Sequence, residues 1–234
     1  MKILFVGATG SIGSEVLEQC LARPEITSVV AFSRRELPSD VSTNPKLQVI
    51  IKKDFSNWPQ GVLEPHADAE AMVWMMGTYT ADEDVLLKYP LAFQHAFLNV
   101  LKTSPGAKFR DIHLSGRFVV QDQERSLWFL PAQRKIKGRF ENEALAFAAE
   151  NASIWKTFSV KPAAVVTKKT WGGSFFSAVL GDRLSIKADA LGAFVARLAV
   201  RPDEESGVIW NHRMAVEGKE ALEHVRKATS NSSG

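Results

Sequence analysis

The chain has 234 residues, with 29 basic against 26 acidic side chains and a formal charge of +3. Its 45% hydrophobic, 24% charged and 9% aromatic content is that of a globular protein and excludes a disordered or low-complexity chain. The basic residues pair locally (Arg34-Arg35, Lys52-Lys53, Lys168-Lys169) without forming the clustered face that nucleic acid needs, and no apolar stretch approaches the ~20 residues that span a bilayer.

The first element is a continuous apolar run over 3–6 that stops at Gly7, the pattern of a strand buried on both faces. It is too short for the apolar core of a signal peptide. A helix follows, with Ile12, Val16, Leu17 and Cys20 at helical spacing, closing before Pro24. Strands are predicted over 28–32, 47–51 and 71–76, with a Ser-, Pro- and Asp-rich loop over 37–45. The next helix covers about 84–102, with Pro90 interrupting it or starting its main segment. A fifth strand over 109–114, a long helix over 131–151 and a sixth strand over 153–160 complete the alternation. Beyond Val165 come a glycine-rich stretch at 171–174 and a helix at about 190–200.

Buried strands alternating with helices predict an α/β, doubly wound parallel sheet (a Rossmann fold) as one domain over 1–234, with about 165–234 as a small C-terminal substrate lobe. Cys20, the sole cysteine, excludes an internal disulfide framework and any cysteine-clustered metal site, and it suits a reducing compartment. The five histidines have no helix-borne zinc spacing, so no metal is expected. A soluble, cytoplasmic protein is predicted, with a small-molecule substrate and neither nucleic acid nor membrane as partner. Its oligomeric state is not specified.

Gly7-Ala8-Thr9-Gly10-Ser11-Ile12-Gly13 joins the first strand to the first helix. In that context each glycine has a mechanical task. The early ones allow a tight turn and close backbone approach to a pyrophosphate, and Gly13 lets helix pack on strand. The helix N-terminus favours the phosphate charge. The loop is therefore expected to bind a dinucleotide. The end of the second strand, where Asp or Glu usually grips the ribose hydroxyls, reads Ser33-Arg34-Arg35. Guanidinium groups suit a ribose phosphate, so NADP is expected over NAD, although either arginine can equally solvate the surface. Asp54 reads as an adenine contact or as a capping residue.

These motifs resemble the short-chain dehydrogenase/reductase superfamily in its extended and atypical branches, with the NmrA-like and HIV-Tat-interacting-protein-like members nearest. The likeness runs through the glycine loop, Met75-Met76-Gly77-Thr78, Leu114-Ser115-Gly116, Lys137-Gly138 and Lys161-Pro162-Ala163. It implies that Gly77 lies at the cofactor, that Ser115 hydrogen-bonds the substrate oxygen, and that Lys137 bonds the nicotinamide ribose. It also sets Pro162-Ala163 beside the nicotinamide, with Ala163 replacing the family's glycine. The family's proton donor is a tyrosine four residues before the lysine. Here that position is Gln133, and neither tyrosine of the chain, Tyr79 or Tyr89, precedes a lysine at that spacing. A glutamine amide can orient a carbonyl but gives up no proton at neutral pH.

Ser115 and Lys137, with Gln133 as an orienting donor, can stabilise a developing alkoxide electrostatically. Tyr79, just past the fourth strand, either reaches the substrate from another direction or packs beneath its loop. Asp82, Glu83 and Asp84 serve a cationic substrate or simply suit a helix N-terminus. Arg117 clamps an anionic group or sits on the surface. Trp128, Phe129, Trp171, Phe175 and Phe176 together would wall an apolar pocket, although each alone is more often core. The leading expectation is an NADP(H)-dependent oxidoreductase acting on a small hydrophobic carbonyl or alcohol. An isomerase, epimerase or cyclase on the same scaffold and an NmrA-like redox-sensing binder stay open beside it.

Overall fold

The structure, a computed structural model, describes residues 1–103, 106–168 and 184–231, with side chains described as far as residue 224. Seven strands among these residues form one parallel sheet: β1 (Lys2–Val6), β2 (Ser28–Ser33), β3 (Leu47–Ile51), β4 (Ala71–Trp74), β5 (Phe109–Leu114), β6 (Trp155–Lys161) and β9 (Gly207–Trp210). Their order is β3-β2-β1-β4-β5-β6-β9. The chain thus winds outward from β1 to one edge, returns to β4, and winds to the other. A crevice opens at the reversal, outside the carboxyl ends of β1 and β4.

Both sheet faces are covered, which explains the uninterrupted apolar runs: Ile3, Leu4, Phe5 and Val6 are all fully buried. Alternation along each strand divides them between two cores. Ile3, Phe5, Ala31 and Val73 pack with Val16, Leu17 and Cys20 of α1 (Ser11–Ala22) and with Leu191, Phe194 and Val195 of α6 (Ala188–Val200). Leu4, Val30, Phe32 and Met72 pack instead with Phe93 and Phe97 of α4 (Tyr89–Thr103) and Phe147 of α5 (Pro131–Glu150). The helix expected over 84–102 begins as a π turn (Asp84–Lys88), in which the Tyr89 N–H bonds to the Asp84 carbonyl. Pro90 has no N–H to donate and sits in the first turn of α4.

The C-terminal segment differs from the expected lobe. Its described part is built into the body of the domain. α6 covers the first core, β9 adds a seventh strand beside β6 through pairs such as Val160 with Ile209, and α7 (Asn211–Asn231) lies against α6. Only a two-stranded sheet, β7 (Ala164–Val166) with β8 (Ser185–Lys187), stands apart from the main sheet. The glycine-rich stretch at 171–174 lies outside the described residues, as do Trp171, Phe175 and Phe176.

Candidate active site

The glycine loop turns tightly over the end of β4. Gly7 has φ +94°, and a Cβ there would lie 2.5 Å from the Met76 nitrogen. A Cβ on Gly13 would lie 2.1 Å from the Gly7 carbonyl oxygen. Side chains are therefore excluded at both positions by backbone. Gly10 is the N-cap of α1, no side chain caps that helix, and its first turn carries no acid. The backbone N–H groups at that terminus and the positive end of the dipole are left for a ligand. Gly7, Thr9, Gly10, Arg34, Phe55 and Gly77 line one groove at this point. Ser11 starts α1 exposed beside it, and Ile12 turns toward the first core. A cradle that a Cβ would fill, an uncapped helix terminus and an arginine fit the phosphates of a dinucleotide.

The two arginines separate. Arg34 lines the groove, whereas Arg35 is exposed away from it and its carbonyl accepts a hydrogen bond from Ser33 Oγ at 2.7 Å. Asp54 closes a turn: its Oδ1 accepts from the Ser56 N–H at 2.8 Å and from Ser56 Oγ at 2.6 Å. Those hydrogen bonds, the hydroxyl's first, hold the carboxyl below the usual aspartate range. Asp54 thus closes a local turn with Ser56, and its neighbour Phe55 lines the groove.

At the carboxyl end of β5, Ser115 Oγ donates to Glu141 Oε1 at 2.5 Å. Glu141, on α5, is 1% exposed and also accepts from Ser159 Oγ at 2.9 Å and from Lys161 Nζ at 2.9 Å. Lys161 donates a second bond to the Val119 carbonyl at 3.0 Å. Lys137 lies one helical turn before Glu141. Its Nζ is 4.0 Å from where a Cβ of Gly77 would be, so the lysine reaches the wall of the nucleotide groove. Burial pushes the Lys137 ammonium below the usual lysine range, and the Glu141 carboxylate opposes that shift without cancelling it. Gly138 makes this approach of α5 possible, since a Cβ there would lie 1.7 Å from the Val120 carbonyl oxygen.

Lys137, Ser115, His113, Met76, Trp74 and Phe140 line a small cavity of about 20 Å³. Met76 also lines the groove, so the two spaces share a wall. Gln133 faces the same loop: its Nε2 donates to the Thr78 carbonyl at 2.7 Å and ties α5 to the chain after β4. Pro162 accepts from the Arg117 N–H at 2.9 Å, and the Ala163 N–H donates to Asn211 Oδ1 at 2.8 Å. That turn is thereby pinned at the sheet's carboxyl end. Beside it Arg117, Phe118, Trp210, Asn211 and His212 enclose a cavity of about 440 Å³, within the ~300–1,000 Å³ of small-molecule sites.

Several expected residues fall elsewhere. Tyr79 is 91% exposed and neither packs beneath its loop nor lines these cavities. Trp128 is 96% exposed, its ring tilted against Phe129, and lines neither the groove nor either cavity. The acidic trio is structural: Asp82 Oδ1 accepts from the Val85 N–H, Glu83 pairs with Arg139 and Asp84 with Lys88. Conversely, two buried polar clusters were not anticipated. One is the Glu141 group; the other joins Asp111 Oδ2 to Gln94 Nε2 and His113 Nε2, each at 2.7 Å. Their signals were a Lys-x-x-x-Glu spacing at 137 and 141, and polar residues at every second position (111, 113, 115) of a buried strand.

No family model matches the chain. Protein FMP52, mitochondrial, from Saccharomyces cerevisiae is 24% identical over 197 residues, spanning 79% of this chain and 76% of the yeast protein. Among solved structures, an oxidoreductase of the short chain dehydrogenase/reductase family from Burkholderia thailandensis superposes with a TM-score of 0.68 at 17% identity, covering 90% of each chain. FolM alternative dihydrofolate reductase 1 from Brucella canis, complexed with NADP, superposes with a TM-score of 0.67 at 13% identity, covering 94% of each chain. The seven-stranded doubly wound sheet is thus the Rossmann fold of short-chain dehydrogenase/reductase structures.

Proposed function

We propose that the protein is an NADP(H)-dependent oxidoreductase of the atypical short-chain dehydrogenase/reductase kind, acting on a small hydrophobic carbonyl or alcohol. The carrying observation is the continuity of the two half-sites: Gly77 and Met76 wall the glycine groove on one side and meet Lys137 and its cavity on the other. The N–H groups at the start of α1 would hold the pyrophosphate and Arg34 the ribose phosphate. Lys137 and the Pro162-Ala163 turn would border the nicotinamide, which when bound gives or takes a hydride. Among the described residues no carboxylate lines the groove, which favours the phosphorylated cofactor. Arg117, His212, Phe118 and Trp210 give the larger cavity a mixed apolar and polar wall that suits a small organic substrate. Gln133 at the position of the family's tyrosine favours the atypical branch.

A reducing compartment such as the cytoplasm suits Cys20, whose thiol is pushed up to about 12 by burial and is inert in the core. Among the described residues no helix is long and apolar enough to cross a membrane. The yeast relative carries a mitochondrial name, so fractionation decides the compartment.

Fluorescence titration should show NADPH binding at least about tenfold tighter than NADH, a difference of about 1.4 kcal/mol, with Arg34→Ala bringing the two together. Equal affinities in the wild type would overturn the NADP preference. With a panel of aldehydes and ketones, substrate-dependent NADPH oxidation is expected. Product formed with no cofactor turnover would select the isomerase or cyclase class instead.

A further inference from the structure

Reduction of a carbonyl needs a proton at oxygen as well as hydride at carbon. Most groups around the small cavity that could give up a proton are engaged; the Trp74 indole N–H, which lines it without a partner, and the second amide hydrogen of Gln133 are not released at neutral pH. Ser115 has a single hydroxyl hydrogen, and it points to Glu141 Oε1 at 2.5 Å. Glu141 is held as an acceptor by the Lys161 ammonium at 2.9 Å, so that bond does not reverse, and the serine oxygen has only lone pairs to offer a ligand. Gln133 gives its amide hydrogen to the Thr78 carbonyl at 2.7 Å. Tyr79 is out in solvent. His113 gives its Nε2 hydrogen to Asp111 Oδ2 at 2.7 Å, which leaves Nδ1, buried without a hydrogen-bond partner, as an acceptor of the neutral ring. Lys137 is left: among the described residues its Nζ has no hydrogen-bond or ion-pair partner, and it borders both the cavity and Gly77.

We propose that Lys137 is itself the proton donor of the reaction, and that Glu141 fixes Ser115 as a hydrogen-bond acceptor beside it. This deepens the oxidoreductase reading and rests on it. Two electrons pass with hydride from a reduced nicotinamide to the carbonyl carbon, and the C=O π pair moves onto oxygen. That oxygen takes a proton from Lys137 Nζ, giving an alcohol and a neutral amine. Water then returns a proton to the amine. In the reverse direction neutral Lys137 takes the hydroxyl proton. Burial lowers the basicity of this lysine, which eases release of its proton to the alkoxide. Ser115 Oγ, as an acceptor, steadies the ammonium or the substrate hydroxyl. The titratable groups facing Lys137 are Glu141 on its own helix and His113 on β5, with Lys161 on β6 acting through Glu141. From the π turn the cavity receives Val85 and Leu86, which carry no charge.

Lys137→Arg tests the assignment, because it keeps the positive charge but a guanidinium does not surrender a proton. At NADPH concentrations that saturate the variant, set by fluorescence titration, NADPH oxidation with a reactive aldehyde should fall at least about 100-fold. Oxidation retained within about threefold would overturn the proton-donor role and leave the lysine an electrostatic one. A readout on the unaltered protein needs neither turnover nor a variant: the pH dependence of Lys137 acylation by acetic anhydride, followed by peptide mass spectrometry. Its midpoint should lie below the ordinary lysine value of 10.5 and coincide with the pH at which reduction declines. A midpoint at or above that value would overturn the proposal. Wild-type protein that turns over no NADPH with any carbonyl would overturn the oxidoreductase reading itself, an outcome distinct from the loss of the lysine's role alone.

Discussion

Glu141 carries more of the site's architecture than any residue the motifs single out. Its carboxylate gathers Ser115, Ser159 and Lys161 from two neighbouring strands, and all four side chains meet beneath the carboxyl end of the sheet. The family resemblance singles out Ser115 and Lys137. It does not reveal Glu141's partners, because those depend on the register that sets His113 against Ser159 and brings Lys161 alongside the end of β5. Removing the carboxylate leaves the Lys161 ammonium, 3% exposed, with no counter-charge among the described residues, only the Val119 carbonyl and the face of Trp210 at 5.1 Å. Glu141→Ala should therefore cost about 3–5 kcal/mol in urea unfolding, the penalty of an uncompensated buried charge. Adding Lys161→Met should recover much of that, since the apolar replacement removes the charge needing a partner. A double variant no more stable than Glu141→Ala would locate the loss in the serines rather than in the ion pair. Arg34, Arg35 and Asp54 show the same limit of sequence reading. The arginine pair was legible, but which arginine faces the groove depends on the turn closed by Ser33 Oγ and the Arg35 carbonyl.

At the scale of elements, the strands nearest the nucleotide groove were the most legible, because burial on both faces leaves unbroken apolar runs. The seventh strand and the last helix were not. β9 is four residues long at the sheet's edge, and Trp210 at its end is 54% exposed, so neither length nor periodicity marks it. What holds it is a clamp of charges around the preceding turn. Arg213, in the first turn of α7, donates to both oxygens of Glu204 at 2.8 and 2.6 Å and to Glu217 at 2.6 Å. The Lys156 ammonium on β6 donates to the carbonyls of Pro202 and Glu204 in the same turn. The Arg213 hydrogen bonds hold the Glu204 carboxyl below its ordinary value of 4.5, against a smaller opposing effect of burial. A lowered carboxylate stabilises the fold above the unfolded value and ceases to do so as pH falls through the folded one. Arg213→Ala should thus lower stability by about 1–2 kcal/mol at neutral pH, a modest figure because the pair is partly solvated. The gap from wild type should narrow as pH is taken from 7 to about 3. A gap that does not change with pH would assign the loss to the guanidinium's contact with the Phe194 ring rather than to its pairing with Glu204.

For the whole molecule, the decisive arrangement is the reversal of strand order between β1 and β4. It sets Gly7 and Gly10 of the glycine loop on one crevice with Gly77 of the loop after β4. The glycine loop alone makes a turn; the reversal makes it one wall of a groove whose other wall touches Lys137. A ligand in that crevice bridges both halves of the sheet, so its binding energy must appear as stability of the entire fold. At a free NADP concentration of 100 times its dissociation constant, the gain is about 2.7 kcal/mol. For a chain of this size that raises Tm by roughly 5–11 °C. NAD at the same concentration should give a smaller shift, and Arg34→Ala should reduce the NADP shift to the NAD value. The dissociation constant comes from an independent fluorescence titration, so the size of the shift is fixed before the melt is run. A melt unmoved by NADP and NAD at millimolar concentration, in protein with native far-UV circular dichroism, would falsify dinucleotide binding at the crevice. A shift of equal size with both cofactors would keep the crevice and remove Arg34 from recognition of the phosphate.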